Sequence, residues 1–435
     1  MITLQEYQAR RQKLASQLPV NSIAVIPAAM EALRNGDVYY PFRQDSDFYY
    51  LTGFNESDAL LVIISGAQME SILFSRARDT VAEQWTGRRL GQEDACAVLG
   101  VQGAYALADL ELRLPELLAD KKYIYYAIGR FPIWDERIQR AWQIVSGRVR
   151  QGVNAPEAFY SLVPILSEMR LLKSTAEIAL MQQAADISIR AHEHIMQVCK
   201  NCKYEYELAA ELLYIFQRAG CRSVAYDSIV AGGANACVLH YTNNNQALHS
   251  GELVLVDAGC EVEYYASDIT RTFPINGKFS KEQCLIYELV LQAQRAGIEC
   301  IRPGVPWEQI QETIVKTLVA GMVDLKILRG TVDELIEGGV YKSLYMHQSG
   351  HWLGLDVHDV GKYKVNGKSR LLEPNMVLTV EPGIYIQPGL ECVDSRFWGI
   401  GVRIEDDLLV TDTGHKNLTQ ALASDVAAIE ALVCG

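Results

Sequence analysis

Two separated segments of the sequence share one unusual pattern, an apolar strand that runs into an acidic residue and then a glycine. The stretch ELVLVDAG contains Asp257, the stretch MVLTVEPG contains Glu381, and the two align without gaps. Each is followed by a second predicted strand with another acid, Asp268 in YASDITRTF and Glu405 in GIGVRIEDDLLVT. Two copies of one strand-pair unit predict duplicated halves that face each other across a single site.

The four matched acids need a compensating partner. A carboxylate at the inner end of an apolar strand is costly to bury unless a cation or a proton neutralises it. The segment HQSGHWLGLDVHD (347–359) adds three of the chain's eight histidines close together. Four carboxylates with one imidazole form a hard, oxygen-rich donor set, unlike the thiolate sets of structural zinc sites. The pattern therefore favours a metal site.

The charge of this donor set indicates two divalent cations. Their four positive charges would balance four carboxylates and leave capacity to hold a hydroxide. Two metal ions bridged at roughly 3.5–4 Å lower the pKa of a shared water and polarise a carbonyl group. That chemistry provides a nucleophile at neutral pH without a serine or cysteine, so the sequence predicts a dinuclear metal hydrolase.

The domain organisation follows from length and from a change of pattern near residue 170. A chain of 435 residues exceeds the size at which one core usually keeps growing. In residues 1–170, short apolar runs such as SIAVIPA and ALLVIIS alternate with helical stretches, which predicts an α/β domain. In residues 171–435, a capping box from Ser174 to Glu177 opens a long helix, and β-rich blocks alternate with further helices. The fold class is therefore α+β, with two domains.

Composition excludes several classes of function. A hydrophobic content of 49% with 21% charged residues is typical of a soluble globular enzyme. The net charge of −13 disfavours a nucleic-acid partner, and no apolar run reaches the roughly 18 residues that span a membrane. The ten cysteines are scattered, with only Cys199 and Cys202 at CxxC spacing. We therefore expect reduced thiols and a cytoplasmic protein.

These residues resemble the pita-bread metallopeptidases, a family that includes methionine aminopeptidase, prolidase and aminopeptidase P. The stretches LHYTNN, HWLGLDVHDVG, VLTVEPGIYI and GIGVRIEDD are most similar to the aminopeptidase P branch. RQDSDFYYLTGF and EQWTGRRLG extend the resemblance into the N-terminal part. It implies a pita-bread catalytic domain over 171–435, preceded by a creatinase-like domain over 1–170 that serves oligomerisation and the substrate groove.

The resemblance also implies the metal ligands. Asp268 and Glu405 would bridge two Mn²⁺ ions, Asp257 would complete one site, and His351 with Glu381 would complete the other. Co²⁺ and Fe²⁺ suit the same donors, so the residues alone leave the resident metal open.

Histidines around the ligands are the expected catalytic and substrate-binding groups. His347 and His358 would donate to the substrate carbonyl oxygen and move protons, and Glu381 is the third expected catalytic residue. His240, in LHYTNN, is similar to the family's histidine at the proline-binding face. Relatives usually carry Gly and an aliphatic residue after the histidine at position 347, whereas Gln348 and Ser349 stand here.

Two further residues complete the predicted site. Period two on the last strand puts Arg403 on the same face as Glu405, where it would either neutralise surplus carboxylate charge or contact substrate. Trp85 lies between polar residues, so it is either exposed or partly buried at a domain surface. The resemblance favours a role for Trp85 in a neighbouring subunit's active site.

The expected function is release of the first residue from peptides with proline in second position, by a homo-oligomer (dimer or tetramer). Prolidase, which takes Xaa-Pro dipeptides, is the alternative, because the ligands do not separate the two activities. A methionine aminopeptidase does not typically carry 170 residues before its ligands. A creatinase-like amidinohydrolase does not keep the metal ligands, and an inactive binding module would lose at least one, whereas all five are present.

Overall fold

The computed structural model describes all 435 residues, which form two compact units, Met1–Arg170 and Leu171–Gly435. No helix of either unit combines the length and the apolar character that crossing a bilayer requires.

The first unit is built on one mixed six-stranded sheet. Its central strand pairs antiparallel with one neighbour and parallel with the other. Ile23 and Val25 of the central strand are buried with Leu60, Val62 and residues of the covering helices in one apolar core. In spatial order the strands are Gly103–Ala106, Glu70–Ser75, Leu60–Ile64, Ile23–Pro27, Tyr123–Tyr126 and Ala158–Ser161.

Seven helices and a small hairpin complete the first unit. Two of the helices begin at aspartate caps, because the Asp45 and Asp79 carboxylates accept hydrogen bonds from otherwise unpaired backbone N–H groups. The hairpin strands are Leu33–Asn35 and Val38–Tyr39. The helices are Leu4–Gln17, Ser46–Thr52, Thr80–Thr86, Gly91–Leu99, Leu110–Leu118, Pro132–Ser146 and Val163–Leu171.

The second unit contains two three-stranded antiparallel sheets and short hairpins. One sheet has the order Thr270–Pro274, Leu253–Asp257, Ile229–Gly232, and the other Val377–Val380, Asp406–Val410, His415–Asn417. The two-stranded pairs are Gly383–Ile386 with Ile400–Arg403, Glu261–Val262 with Tyr265–Ala266, and Lys364–Val365 with Lys368–Ser369. The predicted strand-pair duplication is thus present, one copy in each three-stranded sheet.

The second acid of each copy lies beside a strand and not within it. Asp268 precedes the strand Thr270–Pro274, and Glu405 lies in the break before Asp406–Val410. In both copies the regular β structure is interrupted at the acidic residue, where the carboxylate turns toward the other matched acids. Thr270 and Glu405 form an isolated antiparallel bridge, in which the Glu405 N–H donates to the Thr270 carbonyl oxygen at 3.1 Å. This bridge joins the two halves at the acids.

Helices pack around these sheets and form the larger core. The predicted capping box is present, since the Ser174 and Glu177 side chains each accept the other residue's backbone N–H. The predicted long helix and the further helices that alternate with the β-rich blocks are also present. The six helices are Thr175–Val198, Glu205–Arg218, Lys281–Glu299, Trp307–Asp324, Val332–Glu337 and Val426–Cys434.

Candidate metal centre

The structure brings the five predicted ligands together in the second unit. Side-chain donor atoms of Asp268, His351 and Glu405 all lie within 4.8 Å of one another. His351 Nε2 is 3.3 Å from Asp268 Oδ2 and 3.6 Å from Glu381 Oε1. Asp257 joins the cluster through Tyr226, whose hydroxyl lies 2.6 Å from Asp257 Oδ1 and 2.5 Å from Asp268 Oδ1.

The backbone around His351 orients its ring for coordination. The Thr379 N–H donates to the His351 carbonyl oxygen at 2.9 Å, and the His351 N–H donates to Thr379 Oγ1 at 3.1 Å. A Cβ on Gly350 would meet the Thr379 carbonyl oxygen, so this close approach needs glycine. His351 Nδ1 lies 2.9 Å from the Trp352 carbonyl oxygen, which selects the Nδ1–H tautomer. Nε2 is then the free lone pair facing the acids.

The cluster carries more negative charge than its protein neighbours neutralise. Burial, together with the charges of Asp268 and Glu381, raises the pKa of Glu405 well above its ordinary value. Burial likewise raises the pKa of Glu381 to about 7 and raises that of Asp257. Burial would also raise the pKa of Asp268, but the hydrogen bond and charge of His351 outweigh it and lower this pKa.

The negative charges of the cluster also shift the pKa of the His351 imidazole. Burial lowers the pKa of its imidazole, but the hydrogen bond to Asp268 and the charge of Glu381 outweigh burial and raise this pKa to about 9. Three of the four carboxylates and the imidazole thus have raised pKa values, which reflects burial of the acids together with a surplus of negative charge. Oxygen-rich donors with surplus negative charge and one oriented imidazole fit hard divalent cations.

Arg403 is the cation that the chain itself supplies to the cluster. Its Nη2–H group donates to Asp257 Oδ2 at 2.6 Å, and its Nη1–H group donates to the Tyr385 hydroxyl oxygen at 3.1 Å. The guanidinium is therefore beside the acids, and its observed bonds suit the neutralising role. It also lines the cavity in front of the cluster, so a substrate contact stays a prediction.

The other two histidines of the segment flank the cluster. His347 Nε2 lies 2.7 Å from the Tyr385 hydroxyl oxygen, and His347 Nδ1 lies 3.7 Å from Glu381 Oε2. Burial and the Arg403 charge lower the pKa of His347 to about 4, so its ring is neutral. The His358 ring packs edge to face against His351 at 4.4 Å, and burial and His351 lower its pKa.

The cluster forms one side of a cavity of about 930 Å³ within the second unit. His240, His347 and His358 line it, together with apolar side chains of Ile229, Leu239 and Val357.

Trp85 belongs to the first unit, where its side chain is 85% exposed on the helix Thr80–Thr86. Of the two predicted alternatives, exposure and partial burial, exposure is therefore the correct one.

Sequence reasoning missed several residues that hold the site. Tyr226 and Tyr385 are isolated tyrosines in the sequence, and only the fold places them against carboxylates and Arg403. The Asp407 carboxylate accepts a hydrogen bond from the Asp268 N–H at 3.2 Å and so holds the backbone of Asp268. The sequence could have indicated Asp359, because this acid is adjacent to His358 in a glycine-rich segment.

Asp359 forms a buried ion pair that supports the histidine segment. Lys173 Nζ lies 3.0 Å from Asp359 Oδ2, and both side chains are 1% exposed. The Asp359 N–H also donates to the Trp352 carbonyl oxygen at 2.9 Å. The pair therefore holds the backbone between the predicted ligand His351 and His358.

Lys173→Met is expected to destabilise the second unit. The substitution leaves the Asp359 carboxylate buried without its ammonium partner, and removing one member of a buried pair costs roughly 3–5 kcal/mol. The measurement is the urea midpoint of the transition followed by tryptophan fluorescence, since Trp352 is buried beside the pair's backbone. The double variant Lys173→Met, Asp359→Leu should recover much of the loss. A shift below about 1 kcal/mol in the single variant, typical of a surface pair, would contradict this account.

The fold and the site together define a metallopeptidase, and comparison with known proteins places it further. Residues 179–412 match metallopeptidase family M24, and residues 7–125 match the aminopeptidase P N-terminal domain. The chain therefore belongs to metallopeptidase family M24, with the pita-bread catalytic domain that its resemblance implied.

Its relatives match along almost the whole length. The chain is 45% identical to the Xaa-Pro aminopeptidase of Escherichia coli K12, over 99% of this chain and 98% of that protein. A solved structure of Pseudomonas aeruginosa aminopeptidase PepP has a TM-score of 0.97 at 48% identity, covering 100% of this chain and 98% of that one. A Zn-substituted E. coli aminopeptidase P in complex with product has a TM-score of 0.96 at 44% identity, with 100% and 98% covered.

Proposed function

We propose that this enzyme is a metal-dependent aminopeptidase that releases the first residue from peptides with proline in second position. The observation that carries the proposal is the five-residue cluster of four acids and His351, open to a cavity with three further histidines. Relatives named Xaa-Pro aminopeptidase, matched over nearly their full length, support the same activity.

The cluster would hold two divalent cations, with Mn²⁺ as the proposed metal. Asp268 and Glu405 would be shared, Asp257 would serve one ion, and His351 with Glu381 the other. When bound, such ions polarise a carbonyl group and lower the pKa of water. Charge balance supports two ions, because the chain places only the Arg403 guanidinium against four carboxylates.

The surrounding side chains supply positioning and proton movement. His358 faces the cavity and is placed to donate to the carbonyl oxygen of the scissile bond as negative charge develops there. His347 lies near Glu381 and contacts the Tyr385 hydroxyl, and its proposed role is to move protons during the reaction. Tyr385 also contacts Arg403, which holds the hydroxyl in place.

An Xaa-Pro bond makes particular demands on such a cavity. Its nitrogen carries no hydrogen and its ring fixes the backbone, so recognition must come from the carbonyl oxygen and from apolar contact. The cavity offers imidazole donors together with Ile229, Leu239 and Val357 as apolar surface for a pyrrolidine ring. His240, on the same wall, is proposed to lie against the proline.

We further propose that the enzyme is a cytoplasmic homo-oligomer in which Trp85 lines a neighbouring subunit's substrate groove. An indole that is 85% exposed on a helix without a buried residue is available for such a contact. The first unit, 1–170, would then serve assembly and the outer part of the groove, and 171–435 would carry the chemistry.

The test is an assay of metal-reconstituted enzyme on Xaa-Pro dipeptides and on Xaa-Pro-Yaa peptides of increasing length. We expect release of the first residue from tripeptides and longer peptides, because the cavity continues beyond the cluster. Trp85→Ala should lower kcat/KM on long peptides more than on dipeptides, by about fivefold or more, the loss typical of an aromatic anchor. Val81→Ala, which truncates another exposed side chain on the same helix, is the matched control. Strict preference for dipeptides would reassign the enzyme to prolidase.

A further inference from the structure

One wall of the catalytic cavity is not accounted for by the metal cluster or by the histidines. It is formed by the first two turns of the helix Trp307–Asp324, where Glu308, Gln311 and Glu312 line the cavity. The spacing i, i+3, i+4 puts these three side chains on one helical face. The wall therefore presents two carboxylates and an amide to whatever occupies the cavity.

The two carboxylates of this wall have no partners in the protein. Neither the Glu308 nor the Glu312 side chain forms an ion pair or a hydrogen bond, and both are exposed to the cavity mouth. The two like charges repel each other across one helical turn, while the helix dipole favours Glu308 in the first turn. Among the lysines and arginines that line the cavity, only Lys364 is not bound to the cluster, so two carboxylates and one ammonium leave this part of the lining with net negative charge.

The wall is rigidly connected to the histidine segment. The Trp307 ring packs against Trp352 at 4.4 Å and against Tyr363 at 4.8 Å between ring centroids. Gln311 Oε1 accepts the Ser349 N–H at 2.6 Å. Ser349, one of the two residues that depart from the usual Gly-aliphatic pair, thus bonds to this helix, and the other, Gln348, lines the cavity.

The direction of the peptide decides which substrate residues meet this wall. An aminopeptidase accepts one residue before the scissile bond, and its cationic amino group is favoured among the carboxylates of the cluster. The part of the cavity lined by Trp307 and Tyr363 is assigned to the residues after proline. This step rests on the proposed function.

We propose that Glu308 and Glu312 make the enzyme select peptides that carry lysine or arginine after the proline. An ammonium or guanidinium group in this part of the cavity pairs with one or both carboxylates, whereas an acidic side chain is repelled by them. Trp307 offers the aliphatic part of the same side chain an aromatic surface. Selectivity for a basic residue thus resides in the helix, separate from the chemistry at the cluster.

The test compares kcat/KM for C-terminally amidated Ala-Pro-Lys-Ala, Ala-Pro-Gln-Ala and Ala-Pro-Glu-Ala, with a matched series that varies the fourth residue. We expect lysine to exceed glutamine by about two- to fivefold for each carboxylate it meets, and glutamate to fall below glutamine. Glu308→Gln and Glu312→Gln should each reduce the lysine preference, and the double variant should bring the three peptides close together. High salt should weaken the preference in the parent.

Asp324→Asn is the control, since it removes an exposed carboxylate from the far end of the same helix, away from the cavity. It should leave the preference unchanged. Equal kcat/KM values for the three peptides, a preference that survives in the double variant, or a charge preference confined to the first residue would overturn the inference. Absence of cleavage of every Ala-Pro peptide would instead reject the proposed function, so the two failures are distinguishable.

Discussion

Asp268→Asn and Glu405→Gln are each expected to abolish peptidase activity. Each substitution keeps the shape of the side chain but removes one negative charge from the centre of the cluster, where both proposed cations would share it. Loss of several kcal/mol of electrostatic stabilisation corresponds to at least roughly a thousandfold fall in kcat/KM. The measurement combines steady-state kinetics with elemental analysis, which should find about two divalent metals per chain in the parent and fewer in the variants.

Glu337→Gln provides the matched control for these substitutions. Glu337 is exposed at the end of the helix Val332–Glu337, so its neutralisation should change neither metal content nor kcat. A parent that stays fully active after chelation has removed its metals would reject the metal-dependent function itself.

His358→Ala is expected to lower kcat by roughly 10²–10⁴-fold, the range of a lost general acid or base, while metal content stays near that of the parent. The physical reason is position. The His358 ring lines the cavity and makes no side-chain hydrogen bond, and its contact with His351 is ring packing alone, so we expect its removal to leave the donor atoms of the cluster in place. His347→Ala should behave similarly, since the Tyr385 hydroxyl keeps its bond from Arg403.

Kinetics and metal analysis on the same preparations separate a catalytic role from a ligand role. His249→Ala is the matched control, because His249 is exposed and lies outside the cavity lining. Loss of metal in His358→Ala would show that the imidazole acts as a ligand and that its assigned role is wrong.

The four acids of the proposed metal site could be predicted to lie together from the sequence because each stands in a locally abnormal setting. An acid at the end of an apolar strand, as at Asp257 and Glu381, violates the usual separation of charge from the core. The repetition of that violation in a second copy indicates a shared site. Helix starts such as the one at Ser174 were equally predictable, since a capping box is a contact between residues three positions apart.

The contacts that make the cluster a functional site required the tertiary structure. Tyr226 meets Asp257 and Asp268 only because the sheets fold together, and Lys173 meets Asp359 across 186 positions of the chain. The bridge between Thr270 and Glu405 likewise joins residues that are 135 positions apart in the chain. No periodicity encodes such contacts.

The difference between features that the sequence predicts and contacts that require the folded structure has a physical basis. Propensity, capping and periodicity act over a few residues, so they can be read along the chain and predict which side chains are chemically unusual. Hydrogen bonds, desolvation and charge balance act through space over a few ångströms, so they depend on which distant segments become neighbours. That is why the donor set was visible as residue types, whereas the Arg403–Tyr385–His347 connection and the acidic wall at Glu308 and Glu312 emerged only from the folded chain.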